Sequence, residues 1–174
     1  MFKYPLAVTI DTNIFDAAKF DLGDGSTLRI LEKYVKNGKI KVVLSDIVVR
    51  ESRRHIASQA KTVCSIVRTA RAKVLDVSTE HLINIVGFNE ILTIVNNKKE
   101  LALRAEEMFD NFLRAINAEI LDANLIDVGS ILDDYFGIKP PFENSEKKKS
   151  EFPDAFIAQQ INKRFGETEK VMLE

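Results

Sequence analysis

A chain of 174 residues is long enough for one domain with a full core and short for two, and 45% hydrophobic with 29% charged residues is the make-up of a folded globular protein. A formal net charge of -1 argues against a protein that simply coats nucleic acid, and the single cysteine excludes an intramolecular disulfide and a cysteine cluster for zinc. No apolar run approaches the roughly 20 residues of a membrane span, so one domain over residues 1–174 is expected in a reducing compartment, the cytoplasm, with Met1-Phe2-Lys3-Tyr4-Pro5 leading into a strand instead of a signal sequence.

Leu6-Ala7-Val8-Thr9-Ile10 is apolar at four of five positions, which suits a strand covered on both faces in a parallel sheet flanked by helices. Asp11, Thr12 and Asn13 follow at once. Ligands of such sheets bind beyond the carboxyl ends of the strands, which makes Asp11 a candidate for chemistry; capping a helix from Ile14 to Phe20 is the alternative. The turn-rich Asp21 to Ser26 precedes a second helix with Leu28, Leu31, Tyr34 and Val35 at helical spacing, closed by Asn37-Gly38. Ile40 to Leu44 is the second strand, and Ser45-Asp46 caps a long helix reaching about Lys73. Glu51 falls in its second turn, where the alternative role is a solvated pairing with Arg54 or His55. From Arg50 to Lys73 there are seven basic residues against the one acid Glu51, a local +6, so a basic helix sits on an acidic body. Cys64 lies in the apolar stripe of this helix and is expected in the core.

Val74 to Val77 reads as a short extended piece, followed by helices from Thr79 to Asn96 and from Lys98 to Asp122, the second with a wide apolar stripe suited to packing. Leu125 to Val128 is a third candidate strand, and Ser130 to Phe136 a short helix. Lys139 to Ser150, with two prolines and the run Lys147, Lys148, Lys149, is a surface loop of the kind that handles phosphates, or else a solvated charge run. Glu151-Phe152-Pro153-Asp154 opens a helix to Lys163, and the helix dipole alone would account for an acid at Asp154. The sequence contains no internal repeat, Gly-rich phosphate loop, His-Cys zinc pattern or serine nucleophile elbow.

Asp11, Glu51 and Asp154 share one feature: each stands near a strand exit or helix start, positions that a doubly wound sheet can bring to one edge. Carboxylates brought together raise each other's pKa unless a hard cation neutralises them. An oxygen-only donor set selects Mg2+ or Mn2+ over zinc, and such ions serve phosphoryl chemistry.

Val8-Thr9-Ile10-Asp11-Thr12-Asn13, Leu44-Ser45-Asp46-Ile47-Val48-Val49-Arg50-Glu51 and Glu151-Phe152-Pro153-Asp154-Ala155-Phe156-Ile157-Ala158 resemble, in order, the three main acidic motifs of PIN-domain ribonucleases. They are similar to that family's strand-exit Asp-Thr-Asn, its Ser-x5-Glu helix and its Asp-Ala-x-Ile-Ala helix. The closest likeness is to a branch with a Lys-Lys-x-Glu-Phe-Pro-Asp stretch, here Lys148 to Asp154. The resemblance implies a three-layer α/β fold with a central, mostly parallel sheet flanked by helices and a helical insertion at about 79–122. It implies a metal-dependent endoribonuclease in which Asp11, Glu51 and Asp154, with Glu151 as a further ligand, hold one or two Mg2+ or Mn2+ ions and a metal-activated water attacks the phosphodiester in line. Thr12 and Asn13 would orient Asp11 or the water, while charge and position make Arg53, Arg54, Lys147, Lys148 and Lys149 candidate phosphate contacts. RNA is the implied partner, with an antitoxin or other protein and a homodimer as further candidates, and no membrane.

One departure stands out. The family usually has a further Asp after a fourth strand, and this chain stops at Val171 to Glu174, where that strand would begin. Expected, then, is either truncation at the C-terminal strands or a branch without the fourth acid, with Glu151 or Glu143 substituting in part. A catalytically impaired PIN-like nucleic-acid-binding or scaffold module is the alternative function. A phosphatase using Asp11 as nucleophile is disfavoured, because the second Asp it needs two residues on is Asn13.

Overall fold

A computed structural model describes residues 4–77, 88–142, 151–166 and 172–173. In chain order these form β1 (Leu6–Thr9), α1 (Thr12–Ala17), α2 (Thr27–Lys36), β2 (Ile40–Ser45), α3 (Asp46–Leu75), α4 (Phe88–Asn96), α5 (Lys98–Ala115), β3 (Glu119–Leu121), a 3-10 turn (Ala123–Leu125), α6 (Val128–Gly137), α7 (Phe152–Phe165) and β4 (Met172–Leu173). The strands are ordered β3-β2-β1-β4, and every pairing is parallel. Leu6 stands opposite Ile40, Val43 opposite Glu119 and Val8 opposite Met172. The chain moves outward from β1 through β2 to β3 and then returns to the other side of β1, so the reversal of strand order falls beside β1. That is where open α/β sheets form their ligand crevice.

The described residues fall into two compact units. The first, residues 1–52 and 113–174, carries the sheet. Val42, Val43, Leu44 and Ser45 of β2 are buried in succession, as expected of a strand covered on both faces. The Ser45 hydroxyl accepts the Ile47 amide at 3.0 Å and caps α3. Helix α7 contributes to two cores. Ala155 and the partly buried Phe152 and Phe156 pack with Ile126, Ile131, Phe142 and Tyr135, and on the sheet Ile161, Phe165 and Ile157 pack with Val43, Ala7 and Leu121. Each such side chain contributes roughly 1.5–3 kcal/mol on burial, enough to hold the head of α7 against its neighbours. Among the described residues the second unit, residues 53–112, holds the remainder of α3, α4 and most of α5, and buries Ile56, Ala60, Cys64, Val95, Phe109 and Phe112. Arg53 pairs with Asp110 at 2.8 Å inside it, and Cys64 is core as expected. No helix among the described residues is long and apolar enough to cross a membrane.

Several boundaries differ from those read off the sequence. Helix α5 stops at Ala115, not Asp122, and the third strand is Glu119–Leu121 rather than Leu125 to Val128. Ile116 and Ile120 keep helical spacing across the break, so periodicity alone reads through it; Asn117 ends the helix by taking a left-handed φ of 47°. Leu125 to Val128 cannot extend as a strand because an aspartate claims a backbone amide on each side. Asp122 accepts from the Asn124 amide at 2.8 Å and Asp127 from the Gly129 amide at 2.9 Å, capping the 3-10 turn and α6. Val74 and Leu75 belong to α3 instead of an extended piece. The first helix runs Thr12–Ala17 instead of Ile14 to Phe20, ended by positive φ at Lys19 and Phe20. Of the helix expected from Thr79 to Asn96, residues 79–87 lie outside the described residues, as do Lys147, Lys148, Lys149 and Glu143.

Candidate active site beyond the first strand

Asp11 leaves β1 in extended conformation, φ -82° and ψ 158°, and caps α1. Its Oδ1 accepts the Thr12 amide at 2.7 Å and its Oδ2 accepts Nδ2 of Asn13 at 2.8 Å. The capping role is therefore real, and it coexists with a place on the wall of an open pocket of about 220 Å³. A cap keeps one oxygen on the backbone and thereby holds the carboxylate in one orientation at the strand exit.

Thr12 is 5% exposed, and its hydroxyl donates to Oε2 of Glu51 at 3.0 Å. Amide and hydroxyl of this one residue thus serve two acids, one after β1 and one in the second turn of α3. Asn13 holds Asp11, as expected of an orienting residue, whereas Thr12 orients Glu51 as well.

Asp154 enters the same pocket from the first turn of α7, where Pro153 needs no backbone partner. The apolar residues around it withdraw part of its hydration even though the residue reaches the surface. That loss of water, then the negative charges of Asp11, Glu51 and Glu151, push its pKa above the ordinary carboxylate range. Glu151, the residue before α7, makes no side-chain capping bond to it. The remaining walls are Thr9, Ile10, Val48, Ile157, Ala158, Ile161 and Asn162. Asn162 escaped the sequence reading. It follows Asp154 by eight positions and Ala158 by four, so the helical period that places Asp154 on this face also places Asn162 there.

The oxygen-only character of Asp11, Glu51, Asp154 and Glu151 fits a hard divalent cation, and the repulsion felt by Asp154 is what a cation would relieve. Among the described residues, however, no three acidic, histidine or cysteine side chains are drawn together into a ready-made ion cage. Of the candidate phosphate contacts, Arg53 is engaged by Asp110, and Arg54 is exposed. Asp46, which the sequence offered as a cap, is instead a structural hub: Oδ1 accepts the Ala123 amide at 3.1 Å and Nε2 of Gln160 at 2.9 Å, and Oδ2 takes Arg50 at 2.7 Å.

The family model of the PIN domain matches residues 8–172. No curated protein and no solved structure matches the chain. A parallel sheet flanked by helices, with acids at the exit of β1 and at the heads of α3 and α7, accords with that match. The chain belongs to the PIN domain family, whose members are commonly nucleases.

Proposed function

We propose that this protein is a divalent-metal-dependent endoribonuclease that hydrolyses RNA phosphodiester bonds, with Asp11, Glu51 and Asp154 as its catalytic acids. The observation that carries this reading is geometric: Asp11 and Asp154 line one pocket beside the switch point of a PIN domain sheet, and Thr12 ties Asp11 to Glu51. Asp11, Glu51, Asp154 and Glu151 would hold Mg2+ or Mn2+. A bound ion supplies a Lewis acid that activates water and offsets charge on the phosphoryl group.

The protein's own groups prepare that chemistry. Asn13 and the Thr12 amide hold Asp11, and the Thr12 hydroxyl holds Glu51, so little reorganisation is left for the moment of reaction. Ile10, Val48 and Ile157 line the pocket with apolar surface, which strengthens electrostatic interactions within it. Arg54, three residues beyond Glu51 in α3, and Lys147, Lys148 and Lys149 serve as phosphate contacts; Arg53 does so only by giving up Asp110. Of the helical insertion expected at about 79–122, α4 and most of α5 fall in the second unit. A cytoplasmic toxin held by an antitoxin, and a homodimer, belong to the same reading.

The test is cleavage of single-stranded RNA with and without Mg2+ or Mn2+, using Asp11→Asn as control. Equal cleavage by that variant sinks the assignment. A second reading, a catalytically impaired PIN-like scaffold, draws on the lack of three closely grouped acids among the described residues. Thermal unfolding with Mn2+ separates them, since a scaffold gains no stability from the ion.

A further inference from the structure

From Ser52 to Leu75, helix α3 carries six lysines and arginines (Arg53, Arg54, Lys61, Arg68, Arg71 and Lys73) and not one aspartate or glutamate. Within the second unit the helix buries Ile56, Ala60 and Cys64 at a spacing of four. A period of 3.6 residues puts Arg54, Ser58, Lys61, Ser65 and Arg68 on the side of the helix away from that buried line, and all five are exposed. The three cations recur every seven residues, and a serine stands in the turn between each pair. The helix thus shows solvent about one hydrogen-bond donor per 5.4 Å turn over about 21 Å, alternately cation and hydroxyl.

These charges are not spent inside the protein. The side chains of Arg54 and Lys61 have no hydrogen-bond or ion-pair partner among the described residues. Arg68 donates to Oδ1 of Asn96 at 3.3 Å, and a neutral amide leaves its charge uncompensated. Arg53, which lies off this line, is the contrast, because Asp110 takes its guanidinium at 2.8 Å.

What the line lacks narrows its ligand. Protein interfaces are anchored by large apolar or aromatic side chains, and the line has none. A lipid surface takes a helix by its apolar face, whereas the exposed apolar residues of α3, Val63 and Ile66, fall outside the line. A nucleic-acid strand needs neither. Its backbone is a repeating row of acceptors, met by Arg, Lys and Ser, and one straight row of donors follows one strand. With no aromatic side chain on which bases could stack, the contact is blind to sequence.

We propose that this face of α3 binds the phosphate backbone of single-stranded RNA without regard to sequence, Arg54, Lys61 and Arg68 pairing with phosphates and Ser58 and Ser65 donating to backbone oxygens between them. This rests on the RNA reading above and extends it to Lys61 and Arg68.

Anisotropy of a fluorescent oligouridine titrated with the full chain in EDTA, which withholds the ion that cleavage needs, tests it across a series of salt concentrations. Lys61→Gln combined with Arg68→Gln is expected to lose about tenfold in affinity at low salt, and to flatten the plot of log affinity against log salt by about 1.4, about 0.7 for each lost contact to a single strand. Lys61→Arg combined with Arg68→Lys should keep both. Ser65→Glu, which sets a carboxylate between the two cations, should weaken binding likewise and is the readout if the double variant fails to fold. Arg104→Gln removes an exposed cation of α5 and should change neither quantity. Affinity and slope unchanged in both the double variant and Ser65→Glu overturn the proposal, as does an equal loss in Arg104→Gln. So does polyglutamate, or an anionic phospholipid vesicle, that binds as tightly as the oligouridine through the same residues. With Mn2+ present, the double variant should cleave RNA with a raised KM and an unchanged kcat. A parent chain that binds the oligouridine through these residues but never cleaves RNA sinks the nuclease reading and leaves this one standing.

Discussion

The hydroxyl of Thr12 donates to Oε2 of Glu51 at 3.0 Å, and 39 residues of sequence separate the two. Because the Thr12 amide also donates to Asp11, a single buried residue couples the orientation of two of the three catalytic candidates. Thr12→Val keeps the shape and removes the hydroxyl, leaving the Glu51 carboxylate without its donor. We expect a stability loss of about 1 kcal/mol and a tenfold or greater loss of Mn2+ affinity, the usual cost of removing a group that holds a metal ligand. Thr12→Ser should restore most of both. Calorimetric Mn2+ titration alongside chemical unfolding checks this, and an unchanged Mn2+ affinity in Thr12→Val would count against a shared site.

Asp154 has a raised pKa, which sets the sign of its effect on stability. In the ion-free chain its proton is bound more tightly when folded, so its contribution is most favourable below the ordinary carboxylate pKa of 3.8 and is lost as pH rises through the raised value. Asp154→Asn removes the repelled charge. The variant should melt higher than the parent in EDTA at neutral pH, by about 2 °C given a solvent-screened gain below about 1 kcal/mol. That advantage should shrink as pH falls towards 4. Adding Mn2+ should raise the melting temperature of the parent and leave the variant where it was.

Glu119 behaves in the opposite sense. Arg164 at 2.7 Å and then Lys41 hold its carboxyl down from the ordinary 4.5 to about 2. Its contribution is present above 4.5 and disappears as pH falls through about 2. Glu119→Gln should cost on the order of 1 kcal/mol at neutral pH, the scale of a partly exposed ion network. The difference from the parent should vanish at the acid end, which acid-unfolding curves of the two chains would record.

Phe142 is 2% exposed and meets Tyr135 and Phe152 ring to ring, at centroid distances of 5.3 and 5.0 Å. Through Phe152 this cluster steadies the turn of α7 that bears Asp154. Phe142→Ala should cost about 3–5 kcal/mol by leaving a cavity, and Phe142→Leu about 1–2 kcal/mol. The leucine variant, still folded, is the informative one: urea unfolding should register the loss, and RNA cleavage should fall with little change in KM, because Asp154 shifts while the substrate contacts remain.

Much of the site was legible from local pattern. The apolar run into Asp11, the Ser45 cap with Glu51 a turn and a half on, and Pro153-Asp154 at the head of a helix each depend on near neighbours, and each element formed where the pattern put it. Where two readings rest on the same neighbours, sequence could not choose. Ile116 and Ile120 suit a continuing helix as well as a break followed by a strand, and it is Glu119, held by Arg164 and Lys41 and paired in register with Val43, that goes with the strand. Leu125 to Val128 has a strand's composition, but Asp122 and Asp127 spend their oxygens on backbone amides.

What the sequence alone determined, then, is the helix and strand positions of the candidate acids and the parallel α/β class, because short-range sterics and hydrogen bonding decide those. Tertiary structure decided the rest: that Thr12 bridges Asp11 and Glu51, that Asn162 joins the pocket, and that Arg53 is taken by Asp110. These are contacts between residues far apart in the chain, and no local pattern records which side chain meets which until the sheet has assembled and its helices have packed.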